Sequence, residues 1–286
     1  MTPVTGRIDL HAHTTASDGS DTPRELVQRA KDAGLDAVAI TDHDTIDGVA
    51  PGLAAGLELD LEVVPGVELS TDFRDRTIHV LGYYIDPENE MLAGKLDWAR
   101  RQRETRNDRM IDRFHELGID LTLAEVEAEA GGSVVGRPHF AKALLKKGVV
   151  ATPDEAFREY LGNHGKAYLP KVRFDAPTVM GLIRGAGGLP VFAHPVMTGW
   201  KPLEIDDAVS ELIDLGLAGL EVFYTFHNPT QVLYLHDIAE RRGLLMTGGS
   251  DFHGAVKPDV RLGFGRGDLM VPSRLLDDLK RAANRS

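Results

Sequence analysis

Short apolar runs alternate with helix-type stretches along most of this 286-residue chain, and several of the runs end in histidine, aspartate or glutamate. A short apolar run bounded by turn residues reads as a buried strand, and apolar side chains recurring about every three to four residues read as one face of a helix. The pattern predicts strands over 7–11, 37–41, 62–67, 78–83, 189–193, 219–223 and 244–247. Helices are predicted over 22–33, where Thr22 and Pro23 offer an N-cap and a first-turn proline, and over 175–186, 202–215 and 230–242. Seven strands with crossover helices between them suit a barrel-like α/β fold.

Between Pro87 and Lys171 the pattern changes to almost pure helix. Met110, Ile111, Phe114 and Leu117 mark one apolar face that stops at Gly118, and further helices are expected over 121–130 and 137–147, separated by Gly131–Gly132. The expected organisation is a barrel domain made of 1–87 and 171–286, interrupted by a small helical subdomain over 88–170.

Charge and cysteine usage narrow the partners. With 44 acidic against 32 basic residues the net charge is −12, which repels polyanions and argues against a surface that grips duplex nucleic acid or an anionic membrane. The absence of cysteine removes disulfides and thiolate metal sites. The first residues lack the apolar core of a secretion signal, and no run approaches the ~20 apolar residues of a membrane span, so a cytoplasmic location is expected.

The chemistry lies where the apolar runs end. His11 and His13 stand two apart on the first strand and therefore point the same way, with Asp18 in a turn just beyond. His43 follows the second run, Glu68 the third, and His79 sits in the fourth; His194 closes the next, and Asp251 and His253 repeat the two-apart spacing after the last. Strand ends of an α/β barrel converge on one face, which makes these nine residues one candidate metal site. A zinc-like catalytic ion takes about three protein ligands and an octahedral ion about six groups in all, so nine are too many for one ion. Two ions could use them, and three with Glu68 bridging a pair leave positions open for water and substrate. Two to three divalent ions are expected. Six imidazoles and three carboxylates without sulfur suit manganese first, or iron or zinc, better than magnesium.

The segments HAHTTASDG, TDHDT, PGVELS, AHP and GSDFHG, in that order from His11 to His253, resemble the motifs of the PHP (polymerase and histidinol phosphatase) family, most nearly its stand-alone phosphoesterases acting on nucleotides. The resemblance implies a distorted (β/α)7 barrel with a trinuclear centre. One ion would be held by His11, His13, Glu68 and Asp251, a second by Glu68, His79 and His194, and a third by Asp18, His43 and His253. It implies hydrolysis of a nucleoside 3′,5′-bisphosphate or of the 5′ end of a short single-stranded oligonucleotide by a metal-activated hydroxide. Three divalent ions against three carboxylates make a cationic pocket, into which a phosphate ester fits.

His194 and Arg137 are the residues expected to act directly in the reaction. Arg137 opens a helix in Gly136-Arg137-Pro138-His139, a segment like the GRPH of the stand-alone members, and its planar guanidinium can take two phosphate oxygens at once. Lys171, His227 and Asn228 are further expected substrate contacts, and one of Asp42 and Asp44 is expected to orient an imidazole. The rival readings are a histidinol-phosphate phosphatase, an amide-cleaving hydrolase, and a non-catalytic metal-binding module. The complete ligand set argues against the last, and the GRPH segment favours the nucleotide enzymes.

Overall fold

The computed structural model describes residues 7–130 and 135–284. The chain divides into two compact units, Met1–Leu96 with Arg173–Ser286, and Asp97–Val172.

The first unit is a mixed α/β barrel. Its strands are β1 (Ile8–Asp9), β2 (Ala37–Ile40), β3 (Glu62–Phe73), β4 (Arg76–Tyr83), β5 (Phe174–Asp175), β6 (Leu189–Phe192), β7 (Gly219–Tyr224) and β8 (Leu245–Gly249). They pair in the order β1-β2-β3-β4-β6-β7-β8, with the short β5 attached to β3 off this path. Backbone bonds from Leu10 N to Gly248 O (3.1 Å) and from Asp251 N to His11 O (2.9 Å) bring the last strand back to the first, so the seven-strand barrel is nearly closed.

The departure from a regular barrel is β4, which runs antiparallel to both β3 and β6. No crossover helix joins β3 to β4. Arg74 and Asp75 form a two-residue turn with φ of 49° and 56°, the doubly positive geometry that matches the twist of a tight hairpin. The expected end of the third strand near residue 67 is corrected too: β3 continues to Phe73 because β4 pairs along it, and Glu68 stands in mid-strand.

Helices α1 (Pro23–Asp32) and α2 (Val49–Leu59) cover the early strands. Thr22 begins α1 with a capping box, its side chain accepting from Glu25 N while Glu25 takes the Thr22 N–H. Pattern reading misses α2, whose proline and two glycines lower helix propensity. Gly52 and Gly56 instead let it approach the sheet, since a Cβ there would meet side-chain atoms of Ile40 and Val63 at 1.9 and 2.6 Å. Residues 90–161 supply α3 (Glu90–Glu116), α4 (Leu123–Ala130), α5 (Arg137–Lys146) and α6 (Pro153–Ala156), the last running into a wide turn over Phe157–Leu161. The break expected at Gly131–Gly132 lies outside the described residues. The second unit has its own core around Met110, Phe114, Val126, Phe140, Leu144 and Leu161, while Leu117, expected on the same face, is exposed.

The later strands alternate with α7 (Ala176–Gly185), α8 (Pro202–Asp214) and α9 (Pro229–Arg242), and α10 (Arg274–Ala283) ends the fold. Leu275, Leu276 and Leu279 of α10 join one buried cluster with Ile8, Leu10, Ala37, Val64, Leu81 and Val191 from the strands. The apolar half of each strand is thereby sealed, and the polar residues that follow the strands are left at the other end.

Candidate metal centre

Seven of the nine candidate ligands lie in loops that follow strands, while Glu68 lies within β3 and His79 within β4. His11 and His13 flank Ala12, which bridges to Phe252, so the chain is extended there and both imidazoles take one side. Phe252 is in turn flanked by Asp251 and His253, the mirror of the same arrangement across the barrel seam. His43 follows β2 and bridges to Glu68 on β3. His79 pairs in register with Ser70, and it reaches this end from the early part of β4 because that strand runs in reverse. His194 follows β6 at φ 29°, and Asp251 follows β8 at φ 56°. Positive φ is costly for residues with a Cβ, and strained backbone of this kind tends to gather at functional sites.

Glu68 is the hub. Its Oε2 lies 3.2 Å from Nε2 of both His11 and His13 and 3.1 Å from Nδ1 of His43, and its Oε1 lies 2.9 Å from Nδ1 of His79 and 2.9 Å from Nε2 of His194. Asp251 Oδ1 adds contacts at 3.2 Å to His13 and 3.4 Å to His253, and Asp18 Oδ1 stands 3.4 Å from His253 Nε2. All nine expected ligands are therefore brought together. They fall into overlapping groups able to hold an ion: His13, Asp18, His43 and His253; His11, Glu68 and His194; His11, His13 and Asp251; and His43, Glu68 and His79. His13 thus stands with Asp18, His43 and His253 as well as with His11, and His43 with Glu68 and His79 as well as with Asp18.

The electrostatics are those of a packed cationic and anionic lattice. Burial opposes ionisation of Glu68, yet His43, His11 and His79 hold its carboxyl well below the usual range. Burial lowers the His13 imidazole, but the carboxylates of Asp251 and Glu68 outweigh it and raise it to about 9. His43 goes the other way, down to about 3, through burial and the neighbouring His13 and His79. Burial opposes the charged form of Asp18 as well, and hydrogen bonding to His253 with the charge of His43 still lowers its carboxyl.

Divalent ions fit this donor set. His13 Nδ1 and Nε2, His43 Nδ1 and His79 Nδ1 are buried and make no hydrogen bond of acceptable geometry. Buried polar atoms are normally satisfied, and nitrogens that converge on one small region without partners are what metal ligation explains.

Further groups support the ligands, and pattern reading missed several of them. Asp42 accepts from Thr14 N (2.7 Å), Thr14 Oγ1 (2.8 Å) and Ser17 Oγ (2.7 Å), fixing the loop that carries Asp18. Asp44 Oδ1 takes the Ser70 N–H at 2.9 Å. Buried Glu221 contacts His11 and the His194 backbone, while Tyr224 Oη and Lys257 Nζ donate to Asp251 Oδ2 at 2.9 and 2.7 Å. A lone glutamate inside the apolar run Gly219–Tyr224 was the available signal for the first of these.

The expected substrate contacts are less concentrated. His227 packs against Tyr224, ring centroids 5.1 Å apart, and its Nδ1 donates to Val222 O at 3.0 Å. Asn228 is the N-cap of α9, its side chain accepting from Gln231 N. Arg137 and Lys171 belong to the second unit, where the Arg137 Nη1 donates to Leu161 O at 3.2 Å and the guanidinium lies 5.7 Å from the Tyr168 ring centre.

The chain has known counterparts. The PHP domain model matches residues 9–149. A 5′-3′ exoribonuclease of Haemophilus influenzae is 33% identical over 87% of this chain and 91% of its own length. A 3′,5′-nucleoside bisphosphate phosphatase of Chromobacterium violaceum is 31% identical over 86% of this chain and 87% of its own. Among solved structures, a protein of Bifidobacterium adolescentis described as a metal-dependent phosphoesterase superposes with a TM-score of 0.78 at 34% identity, covering 96% of both chains. The chain belongs to the PHP domain family.

Proposed function

We propose that this chain is a metal-dependent phosphoesterase that hydrolyses phosphate esters of nucleotides, a nucleoside 3′,5′-bisphosphate or the 5′ end of a short oligonucleotide. The observation that carries the reading is Glu68, one buried carboxylate with five imidazole nitrogens within 3.2 Å of its two oxygens. An arrangement of that kind stores too many close polar atoms for a structural core, and it suits ligands shared between ions. The relatives' named activities on 5′ ends and on nucleoside bisphosphates support the substrate class.

Bound ions would activate water and stabilise charge on the phosphoryl oxygens. We assign His11, His13, Glu68 and Asp251 to one ion, Glu68, His79 and His194 to a second, and Asp18, His43 and His253 to a third, with manganese as the metal. Tyr224 and Lys257 hold the outer oxygen of Asp251, which leaves its Oδ1 directed at His13. His227 donates from Nδ1 to a carbonyl and burial lowers its pKa, so in the neutral ring Nε2 carries a lone pair. Its natural substrate partner is then a hydroxyl, not a phosphate oxygen. Arg137, Lys171 and Asn228 remain the proposed phosphate and substrate contacts, and the helical stretch 88–170 the proposed inserted subdomain. The cytoplasm is the proposed compartment; among the described residues no helix is long and apolar enough to cross a membrane.

The test is to load the protein with manganese and offer nucleoside 3′,5′-bisphosphates, 5′-phosphorylated oligonucleotides and histidinol phosphate at equal concentration, measuring phosphate and product nucleotide together. Turnover of the nucleotide substrates is expected to exceed that of histidinol phosphate by at least tenfold; the reverse order would replace this reading with the small phosphomonoester one.

A further inference from the structure

Glu221 lies in β7 with no exposed surface, yet it serves two ligand-bearing segments from different parts of the barrel. Its Oε1 takes the Nδ1–H of His11 at 2.9 Å, and its Oε2 takes the backbone N–H of His194 at 2.7 Å. That N–H belongs to a residue at φ 29° and ψ 60°, a conformation that needs an anchor.

We infer that Glu221 is a positioning residue that decides which nitrogen of His11 is free to bind a metal, an inference that rests on the metal-dependent reading above. A carboxylate only accepts, so the proton of neutral His11 sits on Nδ1 and the lone pair on Nε2. Nε2 is the nitrogen 3.2 Å from Glu68 Oε2 and 3.8 Å from Asp251 Oδ1, the side on which the other ligands converge. The same carboxylate sets His194, whose Nε2 meets the other oxygen of Glu68. One fully buried group thus orients two residues proposed to hold two different ions.

Glutamine at this position separates positioning from mere packing. The His194 N–H can only donate, so it must take the amide oxygen of Gln. The amide NH2 then faces His11 Nδ1, which has to become an acceptor. The His11 proton is driven to Nε2, where it points at the ligand cluster. Shape and the tether to His194 are kept, and only the polarity of one hydrogen bond is inverted.

The experiment compares full-length wild type and Glu221→Gln, both stripped with chelator and then titrated with Mn2+ by calorimetry. We expect the variant to bind at least one ion about 10- to 100-fold more weakly, in the range seen when a partner behind a metal-ligating histidine is lost. The thermal midpoint of the stripped protein is expected to stay within about 2 °C of wild type, since no atom is removed from the core. Equal affinity in the two proteins overturns the inference alone. Wild type that takes up no ion overturns the metal-dependent reading, and this inference with it. A second measurement needs no variant to fold: in 15N-histidine-labelled wild type loaded with Zn2+, the His11 signal, assigned by its loss in His11→Gln, should show Nδ1 protonated and Nε2 ligated. Ligation through Nδ1 would refute the role of Glu221 directly.

Discussion

At the scale of single residues the centre depends on Glu68 more than on any histidine, because five of the six candidate imidazoles touch one of its oxygens and only His253 does not. Replacing it with glutamine keeps the volume and removes the charge that holds five imidazoles together. The expected result for Glu68→Gln is loss of at least one bound ion by elemental analysis and a fall in kcat of at least ~100-fold, about 2.7 kcal/mol of barrier. Activity within tenfold of wild type would remove Glu68 from its bridging place. All nine ligands were legible as candidates because they lie in, at the end of or just beyond apolar runs, and the two-apart spacing gives His11 and His13, and again Asp251 and His253, a common direction. Glu221, Tyr224 and Lys257 were not. Glu221 and Tyr224 meet His11, His194 and Asp251 from 27 or more residues away, which no local spacing encodes, and Lys257, six residues beyond Asp251, lies outside every motif.

At the scale of elements, most strands were read from their apolar runs to within a few residues, but the six further residues of β3, the short β5 and the connection of β3 to β4 were not. Hairpin turns with two positive φ angles usually announce themselves by Asn or Gly, and here Arg74 and Asp75 occupy both positions. The reversal of β4 therefore emerged only from pairing, and with it the reason His79 arrives from the start of its strand, while Glu68 lies within β3 and the other ligands follow their strands. α10 escaped the reading as well, although it seals the apolar end of the barrel. Closure at the other seam makes its own demand. A Cβ on Gly249 of β8 would lie 2.3 Å from His11 Cβ and 2.4 Å from His11 N, both on the first strand's path. Backbone cannot yield as a flexible side chain can, so Gly249→Ala must push β8 from β1 just where His11 is set. Overpacking of this kind costs about 3 kcal/mol, and the expected thermal midpoint is lower by about 6–12 °C. Differential scanning calorimetry on the metal-free protein reads it; an unchanged midpoint would mean that the seam is looser than this register.

For the whole molecule, charge sets both stability and access. The lattice of carboxylates and imidazoles is built to receive cations, so binding should stabilise the folded chain and not the unfolded one. At a free metal concentration 100 times Kd, one site contributes about 2.7 kcal/mol, and the midpoint should rise by about 5–10 °C over chelator-treated protein. Charge also limits what can approach. The exterior carries the balance of a −12 chain, whereas ions would make the pocket locally positive. A mononucleotide brings its phosphate straight to that pocket, but each further phosphate of a strand must lie against an acidic surface and is repelled. Screening weakens that repulsion, since the Debye length falls from about 10 Å at 0.1 M to about 3 Å at 1 M salt. The two substrate sizes should therefore respond to salt in opposite senses: kcat/KM for a nucleoside 3′,5′-bisphosphate should fall as salt screens the attraction, while the ratio of long to short substrate should rise. Steady-state rates with the bisphosphate and with 5′-phosphorylated strands of increasing length, each at low and high salt, supply the comparison. A circular strand offers only internal phosphates and a blunt duplex doubles the repelling charge, so both should be cut far more slowly than a short 5′-phosphorylated strand at either salt; rapid cutting of the circle would mean that a groove for nucleic acid exists despite the charge.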